Sequence, residues 1–206
     1  MAGSTSDLTE LVRAIAARDH ATADRLLTTS PDLATTSVAV GATRAEAEDH
    51  FLAEIGHHVY TGDTALHIAA AAHDVDTVAT LLRLGADPSA PNRRGAQPLH
   101  YAADGSPGSD RWDPPAQAAV IAALIAAGAD PDATDKSGVA PLHRAVRTRS
   151  TGAVEALLAG GADATRPNDN GSTPMQLATR TTGRSGSGSP EAKTEQAAIL
   201  RLLERH

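Results

Sequence analysis

GDTALHIAAAAHDVDTVATLLRLGADPSAPNRR, residues 62–94, is the stretch that decides the fold. Gly62 opens a turn, an Ala-rich segment with Leu66, Ile68, Ala69 and Ala70 follows, and a second segment carries Val75, Val78, Leu81 and Leu82 before Gly85-Ala86-Asp87 closes it. This spacing predicts two short helices. A pair so small cannot bury its apolar faces alone and must stack on copies of itself. The copies follow at once. From Gly62 to Gly95 is 33 residues, from Gly95 to Gly138 is 43, and from Gly138 to Gly171 is 33 again. The surplus in the middle unit is Ser106 to Pro115, SPGSDRWDPP, an inserted loop between that unit's two helices.

Working outward, residues 7–34 read as a degenerate first unit, with Leu8, Leu11, Val12 and Ile15 and then Ala23, Leu26 and Leu27 at helical spacing. Terminal units of a stack are atypical because one face meets water. Residues 35–58 do not fit the repeat. Thr43 to Ile55 predicts an inserted helix, with Thr43 as cap and Ala47, Phe51, Leu52 and Ile55 as its apolar face. Full units occupy 62–94, 95–137 and 138–170. The last unit, 171–206, is split by a Gly/Ser loop at 183–189 and resumes as a helix from Pro190, with Ser189 as its cap.

The units resemble the ankyrin repeat family, whose period is about 33 residues and whose first helix opens on a Thr-Pro-Leu-His-x-Ala-like run. The matching segments are Thr64-Ala65-Leu66-His67-Ile68-Ala69, Gln97-Pro98-Leu99-His100-Tyr101-Ala102, Ala140-Pro141-Leu142-His143-Arg144-Ala145 and Thr173-Pro174-Met175-Gln176-Leu177-Ala178, with Gly-Ala-Asp closures at Gly85, Gly128 and Gly161. The resemblance implies one all-α domain, a solenoid of about five helix-turn-helix units with one inserted helix and two inserted loops. It also implies structural roles for His67, His100 and His143, tying turn to helix.

A net charge of −7 disfavours a nucleic-acid role through phosphate neutralisation. With no cysteine, disulfides, thiolate zinc sites and a cysteine nucleophile are excluded. MAGSTSDLTE has neither the basic start nor the apolar run of an export signal, and no stretch approaches the roughly 18 consecutive apolar residues of a membrane helix. The expectation is a cytoplasmic protein without nucleic-acid or membrane partners and without a cofactor.

Function then rests on surfaces. The family's concave groove is lined by turn tips and first helices, and here the resemblance implies Tyr60, Asp63, Arg93, Arg94, Asp104, Lys136, Arg147 and Arg180, with Trp112 added from the inserted loop. Toward its C-terminal half this list is cationic, which suits an acidic protein segment or, as second choice, an anionic small molecule held by Arg forks. Of the chain's four aromatics, Phe51, Tyr60, Tyr101 and Trp112, Phe51 and Trp112 lie in the insertions and Tyr60 borders one, where rigid anchors serve recognition. The competing reading is an enzyme or small-molecule binder whose 35–58 insertion roofs the groove. His57, His58, Tyr60 and Asp63 are its acid/base candidates, and His50, Glu54 and His57, beside Glu46, its metal candidates on one helix face. No catalytic spacing such as His-Glu-x-x-His accompanies them.

Overall fold

The computed structural model describes residues 5–43, 45–107, 109, 111–180 and 190–206. Five helix pairs follow one another: α1 (Thr5–Ala17) with α2 (His20–Thr29), α3 (Ala65–Ala71) with α4 (Val75–Arg83), α5 (Pro98–Ala102) with α6 (Pro114–Ala126), α7 (Pro141–Thr148) with α8 (Thr151–Ala159), and α9 (Pro174–Thr179) with α10 (Pro190–Leu203). The first helices pack in a row, α1 on α3, α3 on α5, α5 on α7 and α7 on α9. Behind them α4, α6, α8 and α10 form a second row. The core runs continuously between the rows, and Leu66, Leu81, Leu99, Ile121, Leu124, Leu142 and Leu157 are all shielded from solvent. No helix among the described residues is long and apolar enough to cross a membrane.

Capping chemistry repeats with the units. The second helices open on Asp19, Asp74, Asp113 and Ser150, whose side chains accept from Thr22, Thr77, Ala116 and Ala153 backbone N–H groups. Each closure is a glycine motif. At Gly85 the chain takes φ +88°, Gly85 N–H donates to Leu82 and Ala86 N–H to Leu81, and the same pairs recur at Gly128 and Gly161. The helix α6 starts at Pro114, three residues ahead of the Gln117 start that the pattern predicts, because Asp113 caps it and two prolines suit its first turn. The Gly/Ser loop at 183–189 and the Ser189 cap lie outside the described residues.

One prediction fails here: Thr43 to Ile55 does not form a helix. It makes a single 3-10 turn at Glu48–His50 and then a hairpin of β1 (Phe51–Leu52) and β2 (His57–His58), with Phe51 opposite His58 and Leu52 opposite His57. The Thr43 hydroxyl does accept from Glu46 N–H, as its capping reading required. The chain around it is held extended, since Ala42 N–H donates to Val59, Val59 N–H to His50, and Gly62 N–H to Val38. Ladder bonds of this kind outweigh the propensity of a segment too short to be a stable helix by itself. Gly56, at φ +64°, closes the four-residue loop. Phe51, expected in an apolar helix face, is consequently 44% exposed, while Leu52 and Ile55 pack against the core.

Candidate functional site

The concave side begins with the turns. Asn92, Asp135 and Asn168 each accept two backbone N–H bonds through one side-chain oxygen, shaping the loops at Gly95, Gly138 and Gly171. Successive turns then bond to each other: Arg93 N–H to Thr61 at 2.8 Å, Lys136 N–H to Arg94 at 2.9 Å, and Asp169 N–H to Ser137 at 3.3 Å. The repeat histidines add a second tie. His67 and His100 accept from Thr64 and Gln97 N–H through Nδ1, and reach Ala96 and Val139 carbonyls of the next unit through Nε2. Burial is the main cause holding both below the usual imidazole range, His100 at about 4.

Asp63 does not line the groove, and it is unsuited to meet a substrate. It is fully buried, with Tyr101 OH 3.0 Å from both of its oxygens, Asn92 Nδ2 2.9 Å from Oδ1 and Tyr60 N–H 2.6 Å from Oδ2. An isolated buried carboxylate is costly, and these donors offset that cost while locking the turn of one unit to the first helix of the next. Burial, then the charge of Asp63, pushes the Tyr101 hydroxyl far above its ordinary pKa.

The hairpin packs against α5 at this point. His57 stacks on Tyr101 with ring centroids 5.1 Å apart, and its Nε2 is 4.0 Å from Asp104. Burial lowers the His57 pKa against the opposing pull of Asp104. His58, one residue on, faces the other way, 4.8 Å from the Phe51 ring and 6.3 Å from Tyr60. Tyr60 lies under Arg93 and Arg94, whose guanidinium carbons are 5.4 and 5.1 Å from its centroid, and its hydroxyl bonds Arg94. Of the four acid/base candidates, His58 and Tyr60 therefore share one side, whereas His57 lies on Tyr101 and Asp63 is sealed in the interior. The metal candidates fare likewise: with the helix replaced by a hairpin, His50, Glu54 and His57 no longer share a face, and no metal-holding group of three occurs among the described residues.

The two insertions meet. Arg111 donates to the Glu54 carbonyl at 3.4 Å, and a half-open cavity of about 390 Å³ lies beneath, bounded by the hairpin loop at 53–57, the ends of the first helices at Ala71–His73 and Asp104, the loop to Trp112, and Arg18. Arg18, His73 and Trp112 hold the same repeat position, one residue before the second-helix cap. Two of them reach the next unit, Arg18 to Ala72 O at 2.8 Å and His73 Nε2 to Ala102 O at 3.2 Å. Sequence reasoning picked out Trp112 but missed Arg18 and His73, although their shared register was the signal.

Asp104 and Asp135 hold Arg144 at 2.9 and 3.4 Å, and the two carboxylates outweigh burial to raise its pKa. Lys136, Arg147 and Arg180 are exposed and join no ion pair among the described residues.

Family models match along most of this architecture: one for ankyrin repeats (3 copies) over residues 11–109, one for an ankyrin repeat over 94–136, and one for ankyrin repeats (many copies) over 124–178. The chain is similar to NF-kappa-B inhibitor zeta of Homo sapiens, Bos taurus and Mus musculus, 41% identical in each case over 61 residues. That stretch is 28% of this chain and 8% of the relative, so the chain spans only a small part of the relatives it matches.

Proposed function

Because the chain belongs to the ankyrin repeat family, we propose that it is a protein-interaction module that takes an acidic segment of its partner on the C-terminal half of its concave face. The observation that carries this reading is a division of the groove. The face expected to form its N-terminal half carries the chain's own hairpin, with His57 on Tyr101, while Lys136, Arg147 and Arg180 are exposed and join no ion pair among the described residues. Arg94 contributes less than its position suggests, being engaged with Tyr60. A rigid, preformed surface keeps the ordering cost on the protein side low, and cations along it steer and orient an acidic strand.

The test is fluorescence anisotropy with a labelled Glu-rich peptide. The native chain should bind it with an affinity that falls as salt rises, and Lys136→Glu, Arg147→Glu and Arg180→Glu together should weaken binding by about tenfold or more while helical CD and the melting temperature stay near native. Unchanged binding by the triple variant rules out this face.

A further inference from the structure

Two arginines that join no ion pair among the described residues converge on one cavity. Arg18, in the turn between α1 and α2, and Arg111, in the loop before α6, both line the space of about 390 Å³ under the hairpin, and both also line the adjoining cleft beside Trp112. Neither takes part in an ion pair among the described residues. The anions nearby do not neutralise them. Asp104 is held by Arg144 at 2.9 Å, Asp113, which lines the cleft, accepts from Ala116 N–H as the cap of α6, and Glu54 is solvent-exposed, meeting Arg111 through its backbone carbonyl.

The remaining lining groups have defined roles. Burial keeps His57 and His73 below the usual imidazole range, His73 at about 4, so at neutral pH neither adds charge. Trp112 has its indole N–H bonded to Gln117 Oε1 at 3.2 Å, which leaves the ring for apolar contact. Arg18 uses one terminal nitrogen on Ala72 O and keeps the rest of its fork. A volume of this size suits a small ligand rather than a peptide, and paired guanidinium forks suit a carboxylate.

We propose that the cavity between the two insertions binds a small aromatic carboxylate, with Arg18 and Arg111 on the anionic group and the ring against Trp112. The site is separate from the cationic groove, since Lys136, Arg147 and Arg180 are not in its lining.

Trp112 is the chain's single tryptophan, so fluorescence excited selectively at the indole, beyond the absorption of the two tyrosines, reports on this site. The intact chain is titrated with benzoate, benzamide and inorganic phosphate, each to about 10 mM, the range in which fragments of this size bind. Benzoate should change the signal saturably, and benzamide and phosphate should each bind at least about tenfold more weakly, lacking the charge and the ring respectively. Arg111→Gln, on an exposed loop, should weaken benzoate about fivefold or more at an unchanged melting temperature, and Arg18→Gln should act in the same direction. Lys136→Glu with Arg147→Glu and Arg180→Glu should leave benzoate binding as it is, which separates this site from the groove. The proposal fails if benzoate gives no saturable change, if benzamide or phosphate matches it, or if folded Arg111→Gln binds like the native chain.

Discussion

The hydroxyl of Tyr101 serves both oxygens of a carboxylate that water cannot reach, and its ring carries His57 on one side and meets His67 edge-on at 5.2 Å on another. Tyr101→Phe keeps the ring contacts and removes only the donor, leaving Asp63 to Asn92 and Tyr60 N–H. Hydrogen bonds to buried charge are worth roughly 1.5–3 kcal/mol, and urea unfolding should show a loss of that size with an unchanged slope. The buried histidines set a pH dependence. His73 and His100 have folded pKa values of about 4, below the ordinary imidazole value of 6.5, so the unfolded chain binds more protons between those limits. Their contribution is complete above pH 6.5 and is lost as pH falls to 4. Each contributes on the order of 2–4 kcal/mol across that window. Denaturation midpoints measured from pH 7 to pH 4 should fall, and His100→Gln should flatten the profile.

Among the elements, the glycine turns divide into two kinds, the Gly-Ala-Asp closures and the glycines that open the units. A Cβ on Gly85 meets nothing within 4 Å, so Gly85→Ala carries only the left-handed backbone penalty, about 1 kcal/mol. A Cβ on Gly138, at φ +66°, would lie 2.6 Å from Asp169 N and 2.3 Å from Asp169 Oδ1. Gly138→Ala forces the two turns apart and should cost roughly 2–4 kcal/mol, read as a melting temperature lower than that of Gly85→Ala by several degrees. The period and the Gly-Ala-Asp closures were legible because each unit repeats the same local demands on φ and on burial. The hairpin was not. Phe51, Leu52 and Ile55 have helical spacing, and what overrules it is long-range: the backbone bonds of Ala42 with Val59 and of Val38 with Asp63, partners that no local window contains. Asp63 was misread for the same reason, since a polar residue beside a turn looks exposed until Tyr101 and Asn92 are folded over it.

For the molecule as a whole, Lys136, Arg147 and Arg180 are exposed, while the cavity depends on two irregular segments meeting, which no periodicity encodes. In a regular stack each unit touches only its neighbours, so each interface can loosen independently. Here His57, from the segment preceding the unit at 62–94, rests on Tyr101 in the unit after it, and Arg111 of that later unit returns to Glu54. These bonds skip a repeat. They act as a splint over the units at 62–94 and 95–137, which should open together, whereas interfaces from α7 onward should open one at a time. Pulled from its ends, such a molecule yields first at the C-terminal side, in small steps, and the splinted block gives way last, in one.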